Sequence, residues 1–426
     1  MTNDRSRMVN EKSRFHRLWI LVLTLSILPM YGCGRYRARR EIAENDYFAQ
    51  ILMRVDRRSM GNDGFFEENL LANPYSEVRQ WCAIALGRIA SPGALPLLYR
   101  AVHTGDAAVR AASAFSIGEI EDRERLEPQF RLPDPLASKE LISLLDDPSP
   151  TVQMRAIEAL GKTGSPREAR EIARRLEGFS GSGSLTERAY VGFAITALGR
   201  LKDPVAFPVL ERLAKTGDPE IQSHASDALG RLQAEKATAP ATQRLADKAD
   251  ISDRFDEPGD RPGSVTEAIS RALAASRRNS TIAMVETTRG NLEIELFRED
   301  APLTAAAFVL EARGGAYDGF VFDEVLPSQL IGWKAVASSG VDRTLNGEAN
   351  LRPFERGSVG IETAFGKRHH GRLFVALAPQ PYRDGIDTCF GRLISGMPVA
   401  DRIVPGDRIL HIHIKETVGV LDRILQ

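Results

Sequence analysis

The residues best suited to covalent or metal chemistry are few in this chain. Three cysteines, Cys33, Cys82 and Cys389, are scattered over 426 residues, which excludes a disulfide framework and a Cys-rich zinc site. Among the seven histidines, His411 and His413 share one face of an expected strand, and His369-His370 falls in an expected loop. A metal centre would need them to converge with carboxylates, and no spacing here demands it. No metal or cofactor is expected. Cys82 falls on the apolar face of a helix and Cys389 on a strand beside Phe390, the ordinary places of buried, inert thiols. No Ser/His/Asp arrangement can be argued from the order of residues. With little to read in these residue types, the elements of the fold come next.

A chain of 426 residues should hold two or three domains. Lys+Arg 56 against Asp+Glu 57 gives a net charge of −1, which argues against nucleic acid as a partner. Hydrophobic residues at 43% suffice for packed cores. At the N-terminus Arg5, Arg7, Lys12, Arg14 and Arg17 precede an apolar run from Leu18 to Met30, a basic n-region followed by an h-region. The run meets Tyr31-Gly32-Cys33-Gly34. A small residue before a cysteine at that place resembles a bacterial lipoprotein signal, which implies acylation of Cys33. The alternative is an uncleaved anchor, because Leu18 to Gly34 is 17 residues, the lower limit for crossing a bilayer. Either way residues 1–33 provide the membrane tether, through acylated Cys33 or through the uncleaved helix, and the rest of the chain is expected on the periplasmic side.

Between residues 43 and 233 a pattern recurs around Gly87, Gly118, Gly161, Gly199 and Gly230, at intervals of 31, 43, 38 and 31. Nine residues before each glycine stands Val78, Val109, Val152, Tyr190 or Ile221, and small or apolar residues follow at helical spacing. Asn73-Pro74, Asp147-Pro148 and Asp218-Pro219 read as an N-cap with proline at the first helical position. Second apolar helices fit Ala94–Val102, Lys139–Leu145, Arg167–Leu176 and Val205–Ala214, with loops at Asp122–Ser138 and Gly178–Gly183. A helix pair cannot bury its apolar face alone, so the pairs must stack. The segment resembles short HEAT-like repeats of the phycobiliprotein-lyase type, which implies a helical solenoid offering a surface to a protein partner. Residues 234–280 read as a charged linker with a short helix at Val265–Arg277.

From residue 281 the period becomes two. Ile282–Thr287 and Leu292–Leu296 flank a hairpin turn, a helix starts at Pro302 and Thr304 and runs to Arg313, and further strands fit Gly319–Leu326, Ser358–Thr363, Arg372–Ala378, Thr388–Ile394 and Arg408–Lys415. Many short strands of this kind close into a barrel. Residues 281–416 are assigned to it, and 417–426 to a tail.

Thr287-Thr-Arg-Gly-Asn-Leu-Glu-Ile-Glu-Leu-Phe297, Tyr317-Asp318-Gly319, Leu377-Ala378-Pro379, Asp384-Gly385, Phe390-Gly391-Arg392 and Gly406-Asp407-Arg408-Ile409 together resemble the cyclophilin-type peptidyl-prolyl isomerases. The resemblance implies an eight-stranded barrel capped by two helices, without metal or cofactor. It also implies rotation about X–Pro bonds, whose uncatalysed barrier is about 18–20 kcal/mol. The family does this with an apolar proline pocket and an arginine that donates to the twisted amide. Here Phe322-Asp323-Glu324-Val325 puts a carboxylate where that arginine belongs, and an acceptor cannot donate. Gln329 replaces a pocket phenylalanine ahead of Leu330, Gly332 replaces a glutamine, and Arg372 stands at a second glutamine position. Glu362 enters the groove, and Phe374 alone remains as a floor. Tyr382-Arg383 sets a charge where the far wall should be apolar. An ion pair Glu324–Arg372 with Glu362 nearby is expected, and the peptide-binding set is Gln329, Leu330, Glu362, Arg372, Phe374, Tyr382 and Arg383. The expected protein is a tethered scaffold or adaptor that binds a protein or peptide, with weak isomerase activity as the alternative.

Overall fold

A computed structural model describes residues 39–122, 134–163, 166–179, 183–238, 265–334, 347–362 and 372–417. The signal or anchor segment, Cys33, His369-His370 and most of the linker lie outside them. Among the described residues no helix is long and apolar enough to cross a membrane.

Among the described residues eleven α-helices form the first layer: α1 (39–56), α2 (Phe65–Leu71), α3 (Ser76–Ile89), α4 (Leu95–Ala101), α5 (Ala107–Ile120), α6 (Pro135–Ser143), α7 (Pro150–Thr163), α8 (Pro166–Leu176), α9 (Leu185–Leu201), α10 (Phe207–Leu213) and α11 (Pro219–Thr238). The long ones, α3, α5, α7, α9 and α11, stack in chain order. The repeat glycines explain how close they come. A Cβ on Gly87 would meet Ser116 Oγ at 2.6 Å, one on Gly118 the Ala159 Cα at 2.7 Å, one on Gly161 the Ala197 Cα at 2.8 Å, and one on Gly199 the Ala228 Cβ at 3.1 Å. Each glycine thus receives the small residue two places before the next glycine. Gly230 ends the series, and a Cβ there would meet nothing within 4 Å among the described residues.

Two expected caps need correction. Asp218 does cap α11, accepting from the Glu220 and Ile221 N–H at 3.0 and 3.2 Å. Asn73 and Asp147 stand farther from their helices, which begin at Ser76 and Pro150. They instead close short turns by accepting from Tyr75 N and Ser149 N at 3.0 and 2.8 Å, because a residue before proline is held out of the helical region. The expected loop at 122–138 is also shorter: α6 begins at Pro135, capped by Asp134.

The second unit is an eight-stranded antiparallel sheet of β1 (Ser280–Thr287), β2 (Gly290–Leu296), β3 (Glu324–Leu326), β4 (Leu330–Lys334), β5 (Ser358–Ile361), β6 (Arg372–Ala376), β7 (Thr388–Ser395) and β8 (Ile409–Thr417), in the order β3-β4-β6-β5-β7-β2-β1-β8. It closes where Val321 bridges Arg408, with Gly319 N on Ile409 O at 2.8 Å and Phe322 N on Asp407 O at 2.9 Å. The sequence pattern overlooked β4, a short apolar run interrupted by Gly332, and overextended β3 back to Gly319. Helices α13 (Pro302–Arg313) and α14 (Met397–Ala400) complete the unit, α12 (Glu267–Ser276) preceding it. Thr304 is not the cap of α13. Buried Glu348 supplies that function from a distant segment, accepting from Leu303 N at 3.1 Å and from Thr304 N and Oγ1 at 2.7 Å.

The helix expected in the linker belongs to the array. Ala274 of α12 packs with Phe48 and Leu52 of α1, and the Arg277 guanidinium lies 5.0 Å from the Trp81 ring and 5.7 Å from that of Phe48.

Barrel and array are held together by the residues that follow the repeat glycines. Arg88 donates to the Ala349 and Asp300 carbonyls at 2.9 and 2.5 Å. Arg200 donates to the Tyr382 and Asp384 carbonyls at 2.9 and 3.2 Å, and Arg231 lies 3.5 Å above the Tyr382 ring. Between them Lys162 is buried on Glu119 and Glu158 at 2.5 and 2.9 Å, while Arg155 reaches the Leu351 carbonyl at 2.5 Å. A charged residue follows every repeat glycine, and three of these, Arg88, Arg200 and Arg231, reach the barrel, while Glu119 and Lys162 pair with each other within the array.

Candidate functional site: a charged groove on the barrel

The groove is built by β3, β4 and β6 with the 380–387 turn beside them. Antiparallel pairing sets Glu324 opposite Gly332 and Gly332 opposite Phe374, with Lys334 opposite Arg372. A Cβ on Gly332 would come within 3.1 Å of Arg372 Cδ, so the missing side chain makes room for the arginine stem. Arg372 crosses to the carboxylates of Glu324 and Asp323, both at 3.0 Å. The expected ion pair is present, and Asp323 joins it.

Glu362 takes a different partner. Its backbone N–H donates to the Arg372 carbonyl at 2.9 Å, but its carboxylate accepts from Arg383 at 3.2 Å. Asp387 holds the same guanidinium at 2.7 Å. Thus braced, Arg383 lies 4.5 Å above the Phe374 ring, a cation–π contact in place of an open aromatic floor. These pairs are partly exposed, where an ion pair contributes roughly 0–1 kcal/mol. Their effect is on what the groove offers rather than on stability.

Below the charges the floor is closed. Phe374 is 0% and Leu330 2% exposed; both sit in one small core with Phe354 and Cys389. The Phe354 ring tilts against Phe374 at 5.2 Å, and a Cβ on Gly360 would strike both rings. Leu330 and Phe374, expected to line a peptide, are buried core here. Gln329 is exposed, its carbonyl accepting from Leu377 N at 2.8 Å and from Gln380 Nε2 at 3.2 Å. Tyr382 leaves the groove altogether. Its ring lies under Arg231, and a Cβ on Gly199 would fall 2.5 Å from its hydroxyl. Burial pushes its pKa up to about 12.

Sequence reasoning missed Asp323, Asp387, Phe354 and the interface arginines. A signal for the last was present: Arg88, Lys162, Arg200 and Arg231 each follow a repeat glycine. His411 and His413 stay apart from the groove. His411 meets Asp318 at 3.0 Å and His413 meets Glu286 at 3.4 Å, and among the described residues no cluster is placed to hold a metal. Cys82 and Cys389 are both buried.

A closed antiparallel barrel with two helices, set on a stacked helical array, defines the class. Residues 282–419 match the family described as cyclophilin type peptidyl-prolyl cis-trans isomerase/CLD, and residues 65–128 and 188–255 match HEAT repeats. A peptidyl-prolyl cis-trans isomerase of Synechococcus elongatus is 32% identical over 139 residues, which are 32% of this chain and 96% of the relative. The isomerase ppi1 of Schizosaccharomyces pombe is 31% identical over 129 residues, 28% of this chain and 82% of ppi1. A crystal structure of a cyclophilin type isomerase from Cryptosporidium parvum is 17% identical and covers 33% of this chain and 99% of that one, with a TM-score of 0.30. Through its C-terminal barrel the chain belongs to the cyclophilin-type peptidyl-prolyl cis-trans isomerase family.

Proposed function

We propose that the barrel works as a protein- or peptide-binding module rather than as an isomerase, in a scaffold tethered to the outer side of the cytoplasmic membrane. The observation that carries the reading is the pairing of Arg372 with Glu324 and Asp323. Stabilising a twisted amide requires a donor aimed at the substrate, and this guanidinium already serves two carboxylates. The proline floor is likewise occupied, by Arg383 above Phe374. What the groove presents is a partly exposed polar network, Asp323 and Glu324 on Arg372 and Glu362 on Arg383, which suits a polar extended peptide better than a proline ring. The basic and apolar N-terminal segment ending at Cys33 supports the tether.

The test is a prolyl-isomerisation assay on the full chain beside a Glu324→Arg/Arg372→Gln/Arg383→Leu triple variant, which restores the donor and takes the charge off the Phe374 floor. The unaltered chain should leave the rate at the uncatalysed value, and the variant should exceed it. Rate enhancement by the unaltered chain that Arg372→Ala abolishes would make Arg372 the catalytic donor and overturn the binding reading.

A further inference from the structure

The 380–387 turn is shared between the groove and the array. The Tyr382 ring lies under Arg231 at 3.5 Å and fills the space that Gly199 leaves. Arg200 holds the carbonyls of Tyr382 and Asp384, on either side of residue 383. Gly385, at φ +67°, comes so near that a Cβ would meet Lys162, Glu158 Oε1 at 2.7 Å and Phe115 at 2.9 Å. Arg383, between these anchors, points the other way and covers the Phe374 ring. The backbone that carries this cover is therefore fixed by the array.

The braces of the Arg383 side chain divide in the same manner. Asp387 belongs to the turn itself, its N–H donating to the Arg383 carbonyl at 3.0 Å, so it moves with the arginine. Beyond the Phe374 contact, the tie to the sheet is Glu362, just past β5, through a partly exposed pair at 3.2 Å of small worth. A cavity of about 150 Å³ between the turn and helices α9 and α11, lined by Pro379, Pro381 and Asp384, leaves the turn room to shift. Arg88 and Arg155 grip the barrel elsewhere, at Asp300, Ala349 and Leu351, so the turn can be released while the barrel stays seated.

We propose that the array regulates the groove: held by Arg200 and Arg231, the turn keeps Arg383 over Phe374, and its release uncovers the ring and admits a proline-containing peptide. This rests on the reading of the groove as a peptide site. Arg200 and Arg231 are positioning residues that act through Arg383. Because linkage is reciprocal, a peptide seated on Phe374 weakens the grip of the array on the turn.

Calorimetric titration of the full chain with acetyl-Ala-Ala-Pro-Ala-amide, beside the all-alanine peptide, tests this. Arg383→Ala should bind the proline peptide about tenfold more tightly than the unaltered chain, the fold-change that two buried ring methylenes are worth. Arg200→Ala/Arg231→Ala should give the same gain with Arg383 present and no further gain in the Arg383→Ala background, with the fold intact by circular dichroism. Arg231→Ala alone, at an exposed position, should shift affinity in the same direction, and the all-alanine peptide should show none of these gains. A gain from Arg383→Ala without one from the array pair would overturn the regulation and leave the groove reading standing. No gain from either would overturn the account of the floor on which both rest. An array gain that persists undiminished in the Arg383→Ala background would mean a general loosening and would also overturn the proposal.

Discussion

Replacing Asp384 with asparagine probes the docking of array and barrel through a single carboxyl group. Asp384 is 5% exposed and accepts the Phe354 N–H at 2.7 Å. Burial pushes its pKa up from 3.8 to about 7 against the pull of that hydrogen bond, and the Glu158 carboxylate across the interface adds to the rise. Between the unfolded and folded values the native state holds the extra proton, so stability falls as pH rises through this window and the loss is complete above the folded value. Each unit is worth about 1.4 kcal/mol, so the two units between pH 5 and the folded pKa amount to about 3 kcal/mol. Asparagine keeps an acceptor for Phe354 and carries no charge. In urea denaturation, the stability of Asp384→Asn relative to the unaltered chain should therefore rise by about 3 kcal/mol from pH 5 to pH 8. A difference that stays the same at both pH values would refute the burial of this carboxyl beneath the array.

Two further outcomes follow from the array and the N-terminus. Gly161→Ala should destabilise by about 1–3 kcal/mol, because the new methyl meets the Ala197 backbone at 2.8 Å. Gly230→Ala should gain up to about 1 kcal/mol from helix propensity, since nothing lies within 4 Å there; equal signs for the two in denaturant melts would contradict the stacking. A Cys33→Ser variant should lose incorporation of labelled fatty acid if Cys33 is the lipidated residue, whereas unlabelled protein that stays in the membrane fraction identifies the uncleaved anchor, and fractionation with the cytosol removes both.

Much of this arrangement was legible along the chain, for reasons of period and chirality. Five glycines at intervals of 31 to 43 residues can only mean repeated close helix contacts, and alternation from residue 282 can only mean strands with one face buried. The exchange of a donor for an acceptor at position 324 was equally plain, because side-chain chemistry is fixed by residue type. Its pairing with Arg372 followed from the register of a family barrel. Three-dimensional packing decided the rest. No local signal tells that Arg383 would lie on Phe374, that Tyr382 would turn onto the array, or that Glu348 would cap a helix some forty residues before it. Those contacts join segments distant in sequence, and their geometry depends on which surfaces the two units bury against each other. The sequence alone determined the repeat, the barrel and the lost donor, since each is written in local spacing or in one residue's chemistry. Only the tertiary structure decided that the array seats the barrel through Arg88, Arg155, Arg200 and Arg231 and leaves a cavity at the joint, because that surface exists only once both units are folded and docked.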